Sequence, residues 1–305
     1  MAIPDFQSLM LPALTLLGQV SPRATGEVRE VLASQFKLTP EELVQLLPSG
    51  KQTTFSNRVA WAFSYLKQAG LISSPKRGVY EISDRGREVL KNRPPKIDIP
   101  FLAQFPEFQE FRQSSDADAT PSATSQPEAS TSVLTPDEEI RAGYDRLRAG
   151  LASQLLERVK TISPAGFEQL VVDLLVALGY GGSRKDAGQV VGGGGDEGID
   201  GIIKEDRLGL DTIYVQAKRW QSTVGRPEIQ RFAGALQGQR ARKGVFITTS
   251  SFTADAKSYS SGLQTTIVLI DGPMLAQLMI DAGIGVSEAE TIRILKADED
   301  YFDGM

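Results

Sequence analysis

In residues 55–69, FSNRVAWAFSYLKQA, the apolar positions Val59, Ala62, Phe63 and Leu66 recur at helical spacing, and Gly70 supplies a stop signal. The period then changes. LISSPKRGVYEIS gives two short apolar strands around a Ser-Pro-Lys-Arg-Gly turn, and DRGREVLKN closes the region as a helix. Further on, Phe167, Leu170, Val171, Leu174, Leu175 and Leu178 make one apolar helical stripe. Ser163 suits its N-cap, Pro164 its first position and Gly179 its end. Two strands follow, GIDGIIKE at 198–205 and TIYVQAKRW at 212–220, with DRLGLD between them as a hairpin connection. A helix from Pro227, a strand GVFITTS, a helix TADAKSYSS, a strand TIVLID and a helix PMLAQLMIDAG complete the order. The back of the chain thus reads α-β-β-α-β-α-β-α, a mixed sheet flanked by helices.

Helices followed by a basic-tipped hairpin are the layout of a winged helix, in which one helix enters the major groove and the wing touches phosphate. On that reading Asn57, Arg58, Lys67, Lys76 and Arg77 face DNA. A small helical interaction domain with a solvated basic face has the same pattern, and winged helices also mediate protein contacts. Residues 113–136, QSSDADATPSATSQPEASTSVLTP, hold too little apolar surface to offset the entropy of ordering and are expected to form a flexible linker. The four phenylalanines of the preceding IPFLAQFPEFQEF are suited to packing on one of the domains.

Charge divides the chain similarly. Residues 1–96 hold 13 Lys and Arg against 8 Asp and Glu, residues 97–139 hold 1 against 9, and residues 140–305 hold 19 against 21. The expected organisation is a DNA-binding winged helix at 1–96, an acidic linker at 97–139 and a catalytic domain at 140–305. The acidic segment either competes with DNA for the basic domain or is simply a solvated tether.

The chain contains neither histidine nor cysteine. That excludes disulfide frameworks, thiol nucleophiles, zinc fingers, Ser-His-Asp chemistry and nucleases with a histidine base. A hydrolytic site here must use carboxylates, amides, lysine and a hard cation with oxygen ligands. No apolar run approaches the ~20 residues of a membrane span, and the N-terminus lacks a basic region and a small-residue cleavage site, so the expected location is cytoplasmic, with no membrane partner. There is no G-x-x-x-x-G-K-[ST], so no nucleotide cofactor is expected. Gly193, Gly195 and Gly198 do satisfy G-x-G-x-x-G, but the strand-like IDGII follows them where a dinucleotide site needs a helix.

Asp, Glu or Gln stands two residues before Lys three times: Gln35/Lys37, Gln216/Lys218 and Asp255/Lys257. Only Gln216 and Lys218 lie on a strand, where alternation points both side chains to the same face. Asp200 lies on the partner strand, and hairpin pairing brings such residues within a few ångströms. Asp200 and the Gln216 amide oxygen are suitable Mg²⁺ ligands, and Lys218 supplies positive charge beside a scissile phosphate. Glu168, beside the apolar stripe of the 164–178 helix, is the candidate second carboxylate. Taken singly, Glu168 also reads as a solvated helix acid, Asp200 as a turn residue and Lys218 as a strand-end lysine.

Residues 163–283 resemble the PD-(D/E)xK nuclease superfamily in its variant with glutamine before the lysine. More narrowly, GGGGDEGIDGII, YVQAKRW, VGRPEIQRFAGAL and GVFITTSSFT resemble the Mrr family of type IV restriction endonucleases. SNRVAWAFSYLKQAGLI and RGVYEIS are similar to that family's N-terminal winged helix, so the resemblance covers nearly the whole chain apart from the linker. It implies a restriction-endonuclease-like fold and Mg²⁺-dependent cleavage of DNA bearing methylated bases. It also implies Asp200 as metal ligand, Gln216 in the usually acidic second position, Lys218 as catalytic lysine and the Ala217 carbonyl as a further ligand. Glu168 matches the family's helical acidic residue. Cutting both strands needs two active sites, so a homodimer or higher assembly is expected. A junction or repair nuclease, or a DNA-binding regulator with an idle nuclease fold, are the other readings.

Overall fold

The computed structural model describes residues 2–116, 133–181, 199–205, 211–298 and 300–301. The chain divides into two compact units, Met1–Asp145 and Arg146–Met305. The glycine run with Gly193, Gly195 and Gly198 and most of the 113–136 segment lie outside the described residues.

The first unit opens with α1 (Phe6–Gln19), β1 (Arg23–Ala24), α2 (Thr25–Gln35), α3 (Pro40–Val44) and α4 (Thr54–Gln68). The hairpin β2 (Ile72–Lys76) and β3 (Val79–Ile82) and the helix α5 (Asp84–Lys91) follow. Thr53 caps α4 by accepting the Ser56 N–H, and Gly70 ends that helix region at φ +69°, a left-handed conformation that glycine adopts without steric cost. The three strands form an antiparallel sheet in the order β1-β3-β2, with Ile72 opposite Ile82 and Lys76 opposite Val79.

Two helices, α6 (Ile99–Leu102) and α7 (Pro106–Asp116), change the expected boundary. Ile97, Ile99, Leu102 and Phe108 are buried with Phe6, Leu14, Val59 and Phe63 in one core. The start of the presumed acidic linker is therefore part of the first unit. Its phenylalanines provide the apolar surface, at about 1.5–3 kcal/mol per fully buried large side chain, that the acidic count concealed.

The helix α8 (Pro136–Thr161) spans the division between the units. The second unit continues with α9 (Pro164–Ala177), β4 (Gly201–Lys204), β5 (Thr212–Lys218), α10 (Arg226–Gly238), β6 (Lys243–Thr248), α11 (Ala254–Ser261), β7 (Thr266–Ile270) and α12 (Gly272–Ala282). This is the order expected from the periodicity. Ser163 caps α9 by accepting the Gly166 N–H at 3.0 Å, and Pro164 occupies the first helical position. The sheet runs β4-β5-β6-β7, antiparallel between β4 and β5 and parallel thereafter. Parallel neighbours need crossovers, which α10 and α11 supply.

Each sheet face has its own core. Ile203, Ile213, Val215, Ala217, Val245 and Ile247 pack with residues of α8, α9 and α12. Phe246, Ile199 and Ile267 pack with Phe232 and Leu236 of α10 and Ala256 of α11. Alternation along β5 therefore places Val215 and Ala217 in the first core and leaves Gln216 and Lys218 on the opposite face.

Gly272, at the start of α12, lies where any larger residue collides. A Cβ there would come within 2.5 Å of the Thr249 carbonyl oxygen, while the Gly272 N–H donates to the Ser250 carbonyl at 2.8 Å. Gly272→Ala should lower the unfolding free energy by about 1–3 kcal/mol through overpacking. Urea denaturation of the full chain checks this, and an unchanged midpoint would contradict it.

Candidate active site and nucleic-acid face

Asp200 immediately precedes β4. Its N–H donates to the Val215 carbonyl at 2.9 Å, continuing the hairpin pairing one residue beyond Gly201↔Val215. Ala217 lies past that pairing, so its N–H has no strand partner on the β4 side. The Asp200 carboxylate takes it, with Oδ2 accepting at 2.8 Å. The Lys218 ammonium lies 3.8 Å from the same oxygen. Both side chains are partly open, Lys218 at 26% and Asp200 at 20% exposure, so the pair is reachable from solvent. The hairpin reading expected Asp200, Gln216 and Lys218 to converge; the structure places the Lys218 ammonium and the Ala217 N–H at the Asp200 carboxylate.

Gln216 is 3% exposed, and among the described residues its amide makes no hydrogen bond. No fully buried side-chain nitrogen or oxygen among the described residues lacks a hydrogen-bond partner, so the polar end of Gln216 keeps contact with solvent. A residue's N–H and C=O point to the same side of a strand, so the Ala217 carbonyl faces the edge where the Asp200 carboxylate sits. The donor set is one carboxylate, one amide oxygen and one main-chain carbonyl. These are hard oxygen ligands of the kind a Mg²⁺-sized cation takes while keeping several waters, so the residues fit such an ion.

Glu168 is half-buried on α9, which packs against β4 and β5, and it makes no ion pair or hydrogen bond among the described residues. The described residues contain no cluster of three carboxylates able to hold a metal. At the opposite end of the β4–β5 pair, the Lys243 ammonium at the start of β6 pairs with Glu205 and, at 2.9 Å, with Asp211. Hydrogen bonding first to Glu205 and then to Asp211 holds the Lys243 pKa above the usual lysine value.

The five residues expected to face DNA separate into two groups. Lys67, Lys76 and Arg77 are exposed, the first on α4 and the others at the hairpin tip. Asn57 and Arg58 are not presented to solvent, contrary to the sequence expectation. Asn57 is 4% exposed; its Nδ2 donates to Asp137 Oδ2 at 2.9 Å and its Oδ1 accepts from the Thr135 hydroxyl at 2.9 Å. Arg58 donates from Nε and Nη2 to Glu138 Oε1 at 3.0 and 2.8 Å, and from Nη1 to the Ile3 and Pro4 carbonyls at 2.6 and 3.1 Å.

Trp61 joins the same lock, its indole N–H donating to Asp137 Oδ2 at 2.8 Å. Tyr65 packs edge-on against Phe6 and Trp61, and burial, followed by the nearby Glu139 charge, raises its phenol pKa. These two aromatics belong to the packed interior face of α4. The solvent face of α4 carries Ala60 and Lys67, together with Ser56, whose hydroxyl accepts from Arg29 of α2 at 3.0 Å. Arg29 was absent from the sequence expectation, because α2 and its spacing to α4 were not resolved there.

A restriction endonuclease family profile matches residues 159–279, and the Mrr N-terminal domain profile matches residues 6–92. The type IV methyl-directed restriction enzyme EcoKMrr of Escherichia coli (strain K12) is 39% identical over 308 residues, covering 99% of this chain and all of that protein. The chain belongs to the Mrr family of type IV restriction endonucleases. The Mrr N-terminal profile ends at residue 92, and the restriction endonuclease profile contains Glu168, Asp200, Gln216 and Lys218.

Among solved structures, the DNA modification-dependent restriction endonuclease AspBHI aligns at a TM-score of 0.35 and 16% identity over 70% of this chain and 56% of its own. The MspJI restriction endonuclease in complex with a 27-mer oligonucleotide aligns at 0.33 and 18% over 68% of this chain and 49% of its own. The chain spans about half the length of these two structures. Among the described residues, no helix is long and apolar enough to cross a membrane.

The Asn57 lock makes a prediction that separates packing from DNA contact. Asn57→Ala should lower the stability of the first unit by about 1–3 kcal/mol, because it leaves buried partners unpaired. Lys67→Ala should leave stability nearly unchanged. DNA affinity at fixed salt should respond in the opposite order, with Lys67→Ala weaker and Asn57→Ala within about twofold of wild type, since a surface ammonium contributes through phosphate charge. Thermal unfolding and fluorescence anisotropy measure the two quantities, and a large affinity loss in folded Asn57→Ala would contradict the assignment.

Proposed function

We propose that this chain is a Mg²⁺-dependent endonuclease that cuts DNA carrying methylated bases, acting in the cytoplasm. Its first unit is a winged helix that engages the duplex through Lys67, Lys76 and Arg77. The observation that supports the catalytic part is the convergence of the Asp200 carboxylate and the Lys218 ammonium at the end of the β4–β5 pairing. The methylated substrate is carried by the 39% identity to a methyl-directed enzyme over essentially the whole chain.

In this reading Asp200, the Gln216 amide oxygen and the Ala217 carbonyl would hold the cation, whereas Glu168 lies on α9, which packs on the Val215 and Ala217 face of β5. When bound, the cation supplies Lewis-acid polarisation of a phosphoryl oxygen and acidifies a water. Lys218 stabilises the negative charge that grows on the phosphoryl oxygens and orients the attacking water. Asp200 holds the Lys218 ammonium in place between turnovers through the 3.8 Å contact. Gln216, lacking a negative charge, leaves the site one charge less anionic than an acidic residue would.

Matched plasmids, unmethylated, adenine-methylated and cytosine-methylated, test the proposal with and without Mg²⁺. Wild type should linearise one methylated form only in the presence of the cation. Asp200→Ala and Lys218→Ala should each lose cleavage by at least the ~10²–10³-fold seen when one charge-stabilising group is deleted from a site, while retaining DNA affinity. Wild-type cutting by either variant removes the site assignment. Equal cutting of all three plasmids leaves the nuclease but removes the methyl specificity.

Double-strand cutting needs two such centres, so we expect at least two chains on each cleaved duplex. Light scattering during cleavage checks this, and a single chain per linearised molecule would contradict it.

A further inference from the structure

β5 ends at Lys218, where the chain leaves the sheet on its way to α10. The backbone ladder stops there and a row of hydroxyls from the end of β6 takes over. Thr248 Oγ1 donates to the Lys218 carbonyl at 2.9 Å, Thr249 Oγ1 to the Trp220 carbonyl at 2.8 Å and Ser250 Oγ to the Gln221 carbonyl at 3.2 Å. The Ser251 and Thr223 hydroxyls lie 3.2 Å apart. Four consecutive residues thus each direct a hydroxyl at the segment that begins with Lys218.

The Lys218 carbonyl is the most heavily engaged point of this row. Besides Thr248 Oγ1, it accepts from the Trp220 N–H at 3.0 Å and the Thr249 N–H at 3.3 Å. Thr248 Oγ1 in turn accepts from the Ser250 N–H at 3.2 Å, so both hydrogen-bonding directions of this hydroxyl are used. Thr248 has no exposed surface and Thr249 is 2% exposed. A valine would fill the Thr248 position with the same shape and without a polar group to bury. The hydroxyl therefore calls for a reason of its own, and its acceptor is the carbonyl of the lysine that reaches Asp200.

We propose that Thr248 is a positioning residue for Lys218, with Thr249 supporting it one step further along the same segment. This rests on the proposed role of Lys218 in cleavage. A carbonyl held by three donors fixes the Lys218 backbone torsion, and that torsion aims the side chain. The ammonium sits at the end of a flexible four-carbon stem, so a small rotation at the backbone is magnified at the nitrogen. Without Thr248 the ammonium still exists but spends less time at the Asp200 carboxylate and at a phosphate beside it. Thr248 itself touches no substrate.

The test uses the full chain, Mg²⁺ and the plasmid that wild type cleaves, with Thr248→Val, Thr248→Ser and Lys218→Ala assayed side by side. Thr248→Val should lower kcat by about tenfold to a hundredfold, the range associated with a reacting group displaced by about 1 Å. Its DNA affinity should stay within about twofold, because the phosphate contacts that set affinity are unchanged. Thr248→Ser, which keeps the hydroxyl, should recover most of the lost rate. Should the valine variant not fold, Thr248→Ala against Thr248→Ser makes the same comparison one hydroxyl apart.

The proposal is overturned if Lys218→Ala is inactive while folded Thr248→Val cleaves at the wild-type rate. It is also overturned if Thr248→Ser is as slow as Thr248→Val, since keeping the hydroxyl would then make no difference to the rate. If Lys218→Ala itself cleaves normally, the catalytic reading falls and this role for Thr248 falls with it.

Discussion

The backbone N–H of Ala217 has to be satisfied where β4 no longer pairs with β5, and the Asp200 carboxylate is what satisfies it. An unpaired N–H beside a buried sheet costs free energy comparable to a lost hydrogen bond. The sheet therefore fixes the aspartate by the same interaction that completes its own edge. The oxygen that accepts the N–H is also the one nearest the Lys218 ammonium, so a single carboxylate oxygen joins fold and site. Gln216 immediately precedes these two partners in sequence, 3% exposed and without a hydrogen bond among the described residues. Among the described residues there is no cluster of three acidic side chains at this strand end or elsewhere.

The first unit solves a different problem. Its α4 carries polar or aromatic groups on two faces, and only one is open to solvent. Asp137 accepts from both Asn57 and Trp61, and Glu138 accepts from Arg58, so the face bearing these three is closed by acidic residues from the start of α8. The Arg58 guanidinium additionally ties down the Ile3 and Pro4 carbonyls, which makes it a structural clamp. Charge-assisted bonds of this kind are stronger than neutral ones, and removing one partner leaves a half-buried charge without compensation. The other face remains open, with Arg29 beside Ser56 and Lys67 one helical stretch along.

This division explains what could be read from the sequence. The strand and helix order of the second unit was legible because its apolar periods are clean and its caps, such as Ser163 with Pro164, are local signals. The Asp200–Lys218 convergence was legible because hairpin connectivity and alternation alone nearly determine it. The orientation of Asn57 and Arg58 was not legible, because helical period identifies faces without saying which one is covered. The covering groups, Thr135, Asp137 and Glu138, lie about 80 residues away along the chain. The boundary after residue 96 was misplaced for a related reason, since acidic residues dominated the count while the phenylalanines of α6 and α7 decided the packing. Thr248, Thr249 and Ser250 were read as the end of the strand GVFITTS. Their hydroxyl acceptors become evident only when β6 is laid parallel to β5.

The absence of histidine gives the proposed chemistry its division of labour. Lys218, 3.8 Å from the Asp200 carboxylate, is placed to act in the proposed chemistry as an electrostatic group beside the phosphate. With no imidazole in the chain, the proton released by an attacking water must pass to a carboxylate, a phosphate oxygen or solvent. In the proposed mechanism acidifying that water would fall to a cation, and the chain's own contribution would be placement: Asp200, Gln216 and Ala217 as oxygen donors, and Lys218 as fixed positive charge. In such a site the rate depends on where the ammonium sits more than on any finely tuned protonation equilibrium. A strand whose exit is laced to its neighbour by buried hydroxyls would meet that requirement, because it turns the position of a flexible lysine into a property of the sheet.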